Sequence, residues 1–493
     1  MTRTSLSHPL QIAAVLAGPG LGRIGVTFCP GKVQADAVTG AWRRDLELDV
    51  KAIAAWGAAA VVTLVEDHEL QSLQVASLGE VVRRHHMEWL HLPIRDVDVP
   101  SPAFETVWAT AGEGLRARLR AGFDVVVHCK GGLGRAGTVA ARLLRELGWE
   151  ADAAIAAVRA ARPGALETLA QENHVRSITP LAELQPAQDK AAQRDRARGA
   201  LIGLALGDAL GTTLEFKVRD AYAPLTDMVG GGPFNLKPGE WTDDTAMALA
   251  LAESLAAKGR LNEQDLLARF SDWRDNGTYS CTGVCFDIGL TTAQALSRWK
   301  QTGEDHCGST DPGAAGNGSL MRLAPVAIRY WTDRPTLRDA AARQSRTTHA
   351  ADEAIDACVY YAEALADAIE GRSRSVVLRP RQGFAGGVDT VAAGSWRGKA
   401  RSEINASGYV VHALEASLWA TGRSANFERA VLHAANLGQD ADTTAAIAGQ
   451  LAGAMDGYQR LPAAWLAKLA WRDRLVSVAD DLFDASIREV SHG

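Results

Sequence analysis

Two rhythms of apolar and polar positions divide the chain. Before about residue 180, short wholly apolar runs alternate with stretches of helical period. Val61-Val62-Thr63-Leu64-Val65 and Val125-Val126-Val127 are such runs. Continuous apolarity over so few residues predicts strands buried on both faces, as in a parallel sheet. The stretches 115–120 and 138–147 carry the helical period. Strand–helix alternation predicts an α/β fold, with a central, mostly parallel sheet flanked by helices. After residue 198 the pattern changes to Ala- and Leu-rich stretches of helical length, at 244–257, 350–370, 410–420 and 443–453. Ala is the strongest helix former and β-branched runs are scarce there, so an all-α domain is expected. The intervening 180–198 is polar, charged and rich in Gln and Ala. The expected organisation is therefore a first domain over 1–185, a linker over 186–197 in which a helix begins, and a second domain over 198–493.

Composition narrows the classes. Lys+Arg number 52 and Asp+Glu 58, a formal net charge of −6. That balance argues against nucleic-acid binding driven by bulk charge. Six cysteines in 493 residues are too few for a disulfide scaffold, so a reducing cytoplasm is the expectation. No apolar run reaches the roughly 18 residues that span a bilayer, so no membrane partner is expected. The apolar stretch 10–18 lacks a basic n-region, with only Arg3 before it, and reads as a strand rather than a signal peptide.

The sharpest local pattern is Val127-His128-Cys129-Lys130-Gly131-Gly132-Leu133-Gly134-Arg135-Ala136-Gly137-Thr138. An apolar strand runs into a glycine-rich loop and then a helix. Glycines let successive N–H groups turn inward as an anion nest, and the helix aims its N-terminus at the same point. That field favours a thiolate at Cys129. Arg135 is placed to grip two phosphate oxygens. His-Cys, five residues and then Arg, between strand and helix, is far more specific than a lone cysteine or a lone glycine loop.

This segment resembles the cysteine-dependent, dual-specificity-like protein phosphatases, with the kinase-associated phosphatase group nearest. The likeness extends through Gly22-Arg23-Ile24-Gly25, Cys29-Pro30-Gly31-Lys32 and His91-Leu92-Pro93-Ile94-Arg95-Asp96 to Gln171, over roughly 15–185. The resemblance implies that Cys129 attacks phosphorus while Arg135 and the loop Lys130, Gly131, Gly132, Leu133 and Gly134 hold the phosphoryl oxygens. It also implies that Asp96 protonates the leaving oxygen and Gln171 places the hydrolytic water. Asp98 competes with Asp96 for the role of acid. One departure matters: the family usually has Ser or Thr directly after the loop arginine, and this chain has Ala136. A slow phosphatase, or a phosphate-binding module that targets the second domain, is therefore the alternative reading.

Two acidic clusters mark the helical part, Trp241-Thr242-Asp243-Asp244-Thr245 and Gly438-Gln439-Asp440-Ala441-Asp442-Thr443-Thr444. Each opens an Ala-rich helix. Alone, either reads as a helix cap. If they meet in space, four carboxylates converge, and two divalent cations would neutralise their charges. Oxygen-only ligands favour hard ions, Mg²⁺ or Mn²⁺, over Zn²⁺. A third element, Gly203 to Gly211, has small residues that permit close helix packing, with Glu215 just beyond. Gly316-Asn317-Gly318-Ser319 is a small-residue loop able to approach a diphosphate.

In this order, and with Cys285-Phe286-Asp287-Ile288-Gly289, Thr348-His349-Ala350 and Ser407-Gly408-Tyr409-Val410-Val411, these motifs resemble the ADP-ribosylglycohydrolase family over about 195–460. The dinitrogenase reductase-activating glycohydrolase branch is the nearest. The resemblance implies a two-metal site of Thr242, Asp243, Asp244, Asp440, Asp442 and Thr443, with Glu215 as a gating or catalytic acid. Asn317, Gly318 and Ser319 would cradle the diphosphate, Tyr409 would lie against the ligand, and Asp287 and His349 would face the ribose end. Asp208 is expected to be structural rather than a ligand. The implied partners are an ADP-ribosylated protein or other acceptor and a phosphorylated substrate.

Overall fold

The structure, a computed structural model, describes residues 2–37 and 40–490. Its chain divides into two compact units, 1–184 with 397–403 and 185–396 with 404–493.

The first unit is built on a five-stranded sheet. The strands in chain order are β1 (Ala13–Leu16), β2 (Arg23–Phe28), β3 (Val33–Gln34), β4 (Trp42–Arg43), β5 (Ala58–Thr63), β6 (Glu88–His91) and β7 (Asp124–Cys129). Spatially the main sheet runs β1-β2-β7-β5-β6, while β3 and β4 form a separate small ribbon. Only the β1–β2 pairing in the main sheet is antiparallel. Every residue of β5 and β7 is buried, as their unbroken apolar runs require. Val125 and Val127 face one apolar cluster and Val126 the other, the period-two alternation of a strand. The stretch 10–18 contributes β1. Helix Gly134–Glu146 starts directly after the β7 loop.

The second unit is helical. Asp189 caps helix Lys190–Gly211 by accepting from Ala191 N and Ala192 N, so the polar stretch expected as a linker already carries the start of this helix. The helix lies against Ala441–Asp456 with almost no side chains between. A β-carbon added at Gly203 would come 2.3 Å from Gly449 O, one at Gly207 2.2 Å from Ala445 O, and one at Gly211 2.4 Å from Ala441 O. This glycine face brings Asp208 and Glu215, at the end of one helix, to Asp440 and Asp442 at the start of the other. Helix Asp243–Lys258 adds its own first turn to the same place.

Candidate active sites

In the first unit Cys129 ends β7 and is buried. Gly132 N donates to its Sγ at 3.2 Å. Gly132 has φ +72°, and a β-carbon there would lie 2.5 Å from the Thr27 carbonyl carbon, so only glycine fits this turn. The loop carbonyls are held from outside: Lys32 Nζ donates to Lys130 O (3.2 Å), Arg162 to Gly131 O (3.3 Å) and Gly132 O (3.1 Å), and Thr138 Oγ1 to Gly134 O (2.8 Å). Leu133 O accepts from Gly137 N at 2.9 Å. These bonds fix the loop carbonyls, and Gly132 N is an amide of the loop that points at the sulfur.

Arg135 is buried and braced by a residue the sequence reading did not single out. Its two terminal nitrogens donate to Glu69 Oε2 (2.5 Å) and Oε1 (2.9 Å), and it also reaches Ile94 O (2.9 Å) and Asp96 Oδ1 (2.9 Å). Burial alone would raise the Glu69 pKa, but Arg135 and a backbone donor bring it below the usual carboxylate range. Of the two candidate acids, Asp96 touches the loop arginine. The Asp98 carboxylate instead accepts from Val99 N (2.8 Å). Gln171 is fully buried against Gly134; its side chain accepts from Glu167 N (2.9 Å) and donates to Asp98 O (3.4 Å). The Thr138 hydroxyl is spent on Gly134 O, so nothing here replaces the hydroxyl missing at Ala136 by way of Thr138.

In the second unit the two acidic clusters do meet. Ligand atoms of Asp208, Asp244 and Asp442 lie within 4.8 Å of one another, as do those of Glu215, Asp440 and Asp442. Asp442 belongs to both groups. Asp243 stands outside them, because consecutive helical side chains diverge by about 100°; it still feels Asp442 and Asp208 and is raised well above its ordinary pKa, first by burial. Asp208 is the structural anchor: it accepts from Thr242 N (2.8 Å), Thr242 Oγ1 (2.8 Å), Thr245 N (2.9 Å) and Thr245 Oγ1 (2.6 Å). Thr443 N donates to Asp442 Oδ1 (2.7 Å). Glu215 Oε2 accepts from Ala441 N (2.7 Å) and Asp442 N (3.3 Å).

The electrostatics of this cluster suit a cation. Burial, then Asp442, pushes Asp440 up to about 7 against the opposing Asn317 N–H. Burial, then Asp442, Asp440 and Asp287, pushes Glu215 up to about 12. Burial, then Asp243 and Asp442, takes Asp287 up to about 10. Asp244 Oδ1 is buried with no hydrogen-bond partner. Two like charges under 5 Å apart repel by roughly 3–4 kcal/mol at an effective dielectric near 20, and an orphaned buried carboxylate oxygen is costly. Oxygen-only donors fit hard divalent ions.

The small-residue loop faces this cluster. Asn317 donates from Nδ2 to Asp440 Oδ2 (2.6 Å), and its own N–H bonds to Gly408 O (3.0 Å). Gly316 pairs with Tyr409 in an isolated antiparallel bridge. A β-carbon on Gly318 would come 2.8 Å from the His349 ring. Ser319 differs from the expectation for its side chain. It is fully buried, with its hydroxyl 2.8 Å from Ser345 Oγ and 3.4 Å from Cys358 Sγ, so any part it takes in a cradle comes through its backbone. The Tyr409 hydroxyl donates to Glu353 Oε2 (2.5 Å). His349 is buried, its Nδ1 2.8 Å from Thr348 Oγ1.

A glycine turn around a buried cysteine in one unit, and a carboxylate pocket beside a small-residue loop in the other, belong to a hydrolase with a phosphatase domain. The model of the ADP-ribosylglycohydrolase family matches residues 189–490, more than half of the chain, and the chain belongs to that family. A second family model, described as Swiss Army Knife protein, DSP-PTPase phosphatase domain, matches residues 33–175. ADP-ribosylarginine hydrolase Tri1 of Pseudomonas putida (strain GB-1) is 45% identical over 291 residues, covering 59% of this chain and 78% of that protein. The ADP-ribosyl-(dinitrogen reductase) glycohydrolase of Rhodospirillum rubrum is 33% identical over 279 residues, covering 56% of this chain and 90% of that protein. A solved structure described as an ADP-ribosylglycohydrolase-related protein complex aligns with TM-score 0.53 and 38% identity, covering 60% of this chain and 99% of that one. Among the described residues no helix is long and apolar enough to cross a membrane.

Proposed function

We propose that the second unit removes ADP-ribose from the arginine side chain of a modified protein, with divalent metal ions, and that the first unit hydrolyses a phosphomonoester through a phosphocysteine. The observation that carries the first half is the pair of carboxylate groups sharing Asp442. The names of the 45%-identical relatives, ADP-ribosylarginine hydrolases, support arginine as the acceptor.

Asp244, Asp440 and Asp442, with Thr242, Thr443 and the nearby Asp243, would hold two Mg²⁺ or Mn²⁺ ions. Such ions supply Lewis-acid polarisation of a ribose oxygen and an activated water. Asp208 keeps Thr242 and the first turn of Asp243–Lys258 in register. Asn317, Gly318 and the backbone at Ser319 receive the diphosphate, and Asn317 ties that loop to Asp440. His349 and Asp287 face the ribose. Tyr409, tethered to Glu353, lines the same loop. Glu215 assists departure of the guanidino group, which leaves with a proton as water adds to the anomeric carbon.

In the first unit Cys129 Sγ would attack phosphorus and displace the alcohol, which takes its proton from Asp96. The loop amides hold the non-bridging oxygens together with Arg135, whose Nε–H and the N–H released by Asp96 turn to the phosphoryl group. Gln171 positions the water that then cleaves the S–P bond, releasing phosphate and restoring the thiolate. A binding module without turnover is the less favoured reading, and the match of the phosphatase-domain family model over residues 33–175 supports turnover. Six cysteines in 493 residues fit a reducing, cytoplasmic setting.

The test is a panel of ADP-ribosylated arginine, serine and nucleic-acid ends, assayed with and without Mn²⁺ after chelation. Metal-restored release from arginine supports the reading; metal-independent release, or release from serine alone, contradicts it.

A further inference from the structure

Three aromatic rings from distant parts of the second unit meet, and two of them neighbour acids of the pocket in the chain. Phe216 and Phe234 have ring centroids 6.3 Å apart, and Phe234 and Phe286 5.1 Å apart. Phe216 is 67% exposed, a large loss for a ring that could have been buried. Each outer ring adjoins a pocket acid along the chain: Phe216 follows Glu215, and Asp287 follows Phe286. Both acids lie within side-chain hydrogen-bond reach of Asp442.

The backbone keeps this arrangement at a cost. Phe216 and Asp287 both have φ +60°, a region unfavourable for residues with a β-carbon. Phe216 N donates to Gln439 O at 2.8 Å, which pins the strained residue to the segment that leads into Asp440. Neighbouring Val218 and Val284 are also exposed. An exposed apolar rim that leads to two acids, Glu215 buried and Asp287 half-buried, is poorly suited to a phosphate or a neutral sugar. It is well suited to a flat cation, whose face stacks on a ring while its edge donates to carboxylates.

We infer that Phe216, Phe234 and Phe286, with Glu215 and Asp287, form the acceptor subsite, an aromatic–acidic seat for the guanidinium group from which ADP-ribose is removed. This rests on the arginine reading above and deepens it. The rings recognise the leaving group, and the Asn317 loop recognises the diphosphate at the other end of the substrate. Discrimination against uncharged acceptors then comes from the rings.

The experiment uses the full-length protein. Agmatine, a free guanidinium compound, is titrated into wild type and into Phe216→Ala, Phe286→Ala and Phe216→Tyr, in the presence of ADP-ribose and Mn²⁺. In parallel, ADP-ribose affinity and kcat/KM on ADP-ribosylagmatine are measured. Wild type should bind agmatine. Each alanine variant should weaken agmatine and lower kcat/KM by about tenfold, with ADP-ribose affinity within about twofold and Phe216→Tyr near wild type. Equal weakening of ADP-ribose would mean the rings hold the nucleotide, and overturns the inference. Unchanged agmatine binding in both alanine variants, or no agmatine binding by a wild type that cleaves ADP-ribosylarginine, also overturns it. Ring-dependent agmatine binding without cleavage of any arginine conjugate would sink the proposed reaction and leave the guanidinium seat standing.

Discussion

Asn317 donates its side-chain N–H to Asp440 at 2.6 Å, joining the small-residue loop to the carboxylate cluster. The two residues are 123 positions apart. Through this bond, whatever settles the loop also settles one wall of the pocket. Its partner is a carboxylate, so the bond belongs to the stronger, charge-assisted kind.

Replacing Asn317 with Ala is expected to weaken Mn²⁺ binding and substrate binding together. A charge-assisted hydrogen bond contributes about 1.5–3 kcal/mol, so kcat/KM on ADP-ribosylarginine should fall by roughly 10- to 100-fold. Calorimetric titration with Mn²⁺ should show weaker binding in the same variant. A loss of turnover with unchanged metal affinity would separate loop from cluster and contradict the coupling.

The ring of His349 has one orientation of its proton that satisfies all its neighbours. Arg322 can only donate, and it donates to Thr348 Oγ1 at 2.8 Å. The Thr348 proton is then free for His349 Nδ1 at 2.8 Å, which leaves the proton of the neutral ring on Nε2. Burial, and then Arg322, keeps that ring neutral by pushing its pKa down to about 3. Thr348→Val should therefore lower ADP-ribose affinity about fivefold, the worth of about 1 kcal/mol, and Thr348→Ser should restore it. Imidazole ¹⁵N shifts report the tautomer directly, and a wild-type ring protonated on Nδ1 would refute the assignment.

In the first unit His128 is fully buried, with Nε2 2.7 Å from Thr63 Oγ1. Burial pushes its pKa down to about 3. The unfolded chain binds a proton below about 6.5 that the folded chain refuses, so this contribution is present above that pH and is lost as pH falls towards 3. The stability advantage of wild type over His128→Gln should shrink by about 1.4 kcal/mol per pH unit between pH 6 and 4. Urea unfolding of the phosphatase unit at a series of pH values reads it. A constant difference would show that the histidine is charged in the fold.

This chain has Ala136 where the resemblance to the phosphatases leads one to expect Ser or Thr. If breakdown of the phosphocysteine limits turnover, Ala136→Ser should raise kcat for p-nitrophenyl phosphate by about fivefold, one hydrogen bond of about 1 kcal/mol. Cys129→Ser should abolish this release and leave ADP-ribose release intact. Rapid release by Cys129→Ser would remove the phosphocysteine route.

What the sequence disclosed were local objects. The strand, loop and helix around Cys129 occupy one short stretch, and the periods on either side place them. Asp440 and Asp442 open a helix whose alanines announce it. Less legible were partners supplied from a distance. Glu69 braces Arg135 from 66 positions away, with no spacing to mark it. The three phenylalanines belong to three loops whose convergence no period encodes. Asp243 and Asp244 read alike in sequence, yet helical geometry sends only Asp244 into a carboxylate group. Ser319 looked available in its loop, but Ser345 and Cys358 claim its hydroxyl.

The most direct measurement is the metal content of the full-length protein after dialysis against Mn²⁺, compared with Asp442→Asn, alongside release of ADP-ribose from modified arginine. Wild type should retain two Mn²⁺ per chain. Asp442→Asn, which alters the residue shared by both carboxylate groups, should retain fewer than one and lose hydrolysis. Full hydrolysis by chelated wild type, or two retained ions in an active Asp442→Asn, would contradict the account.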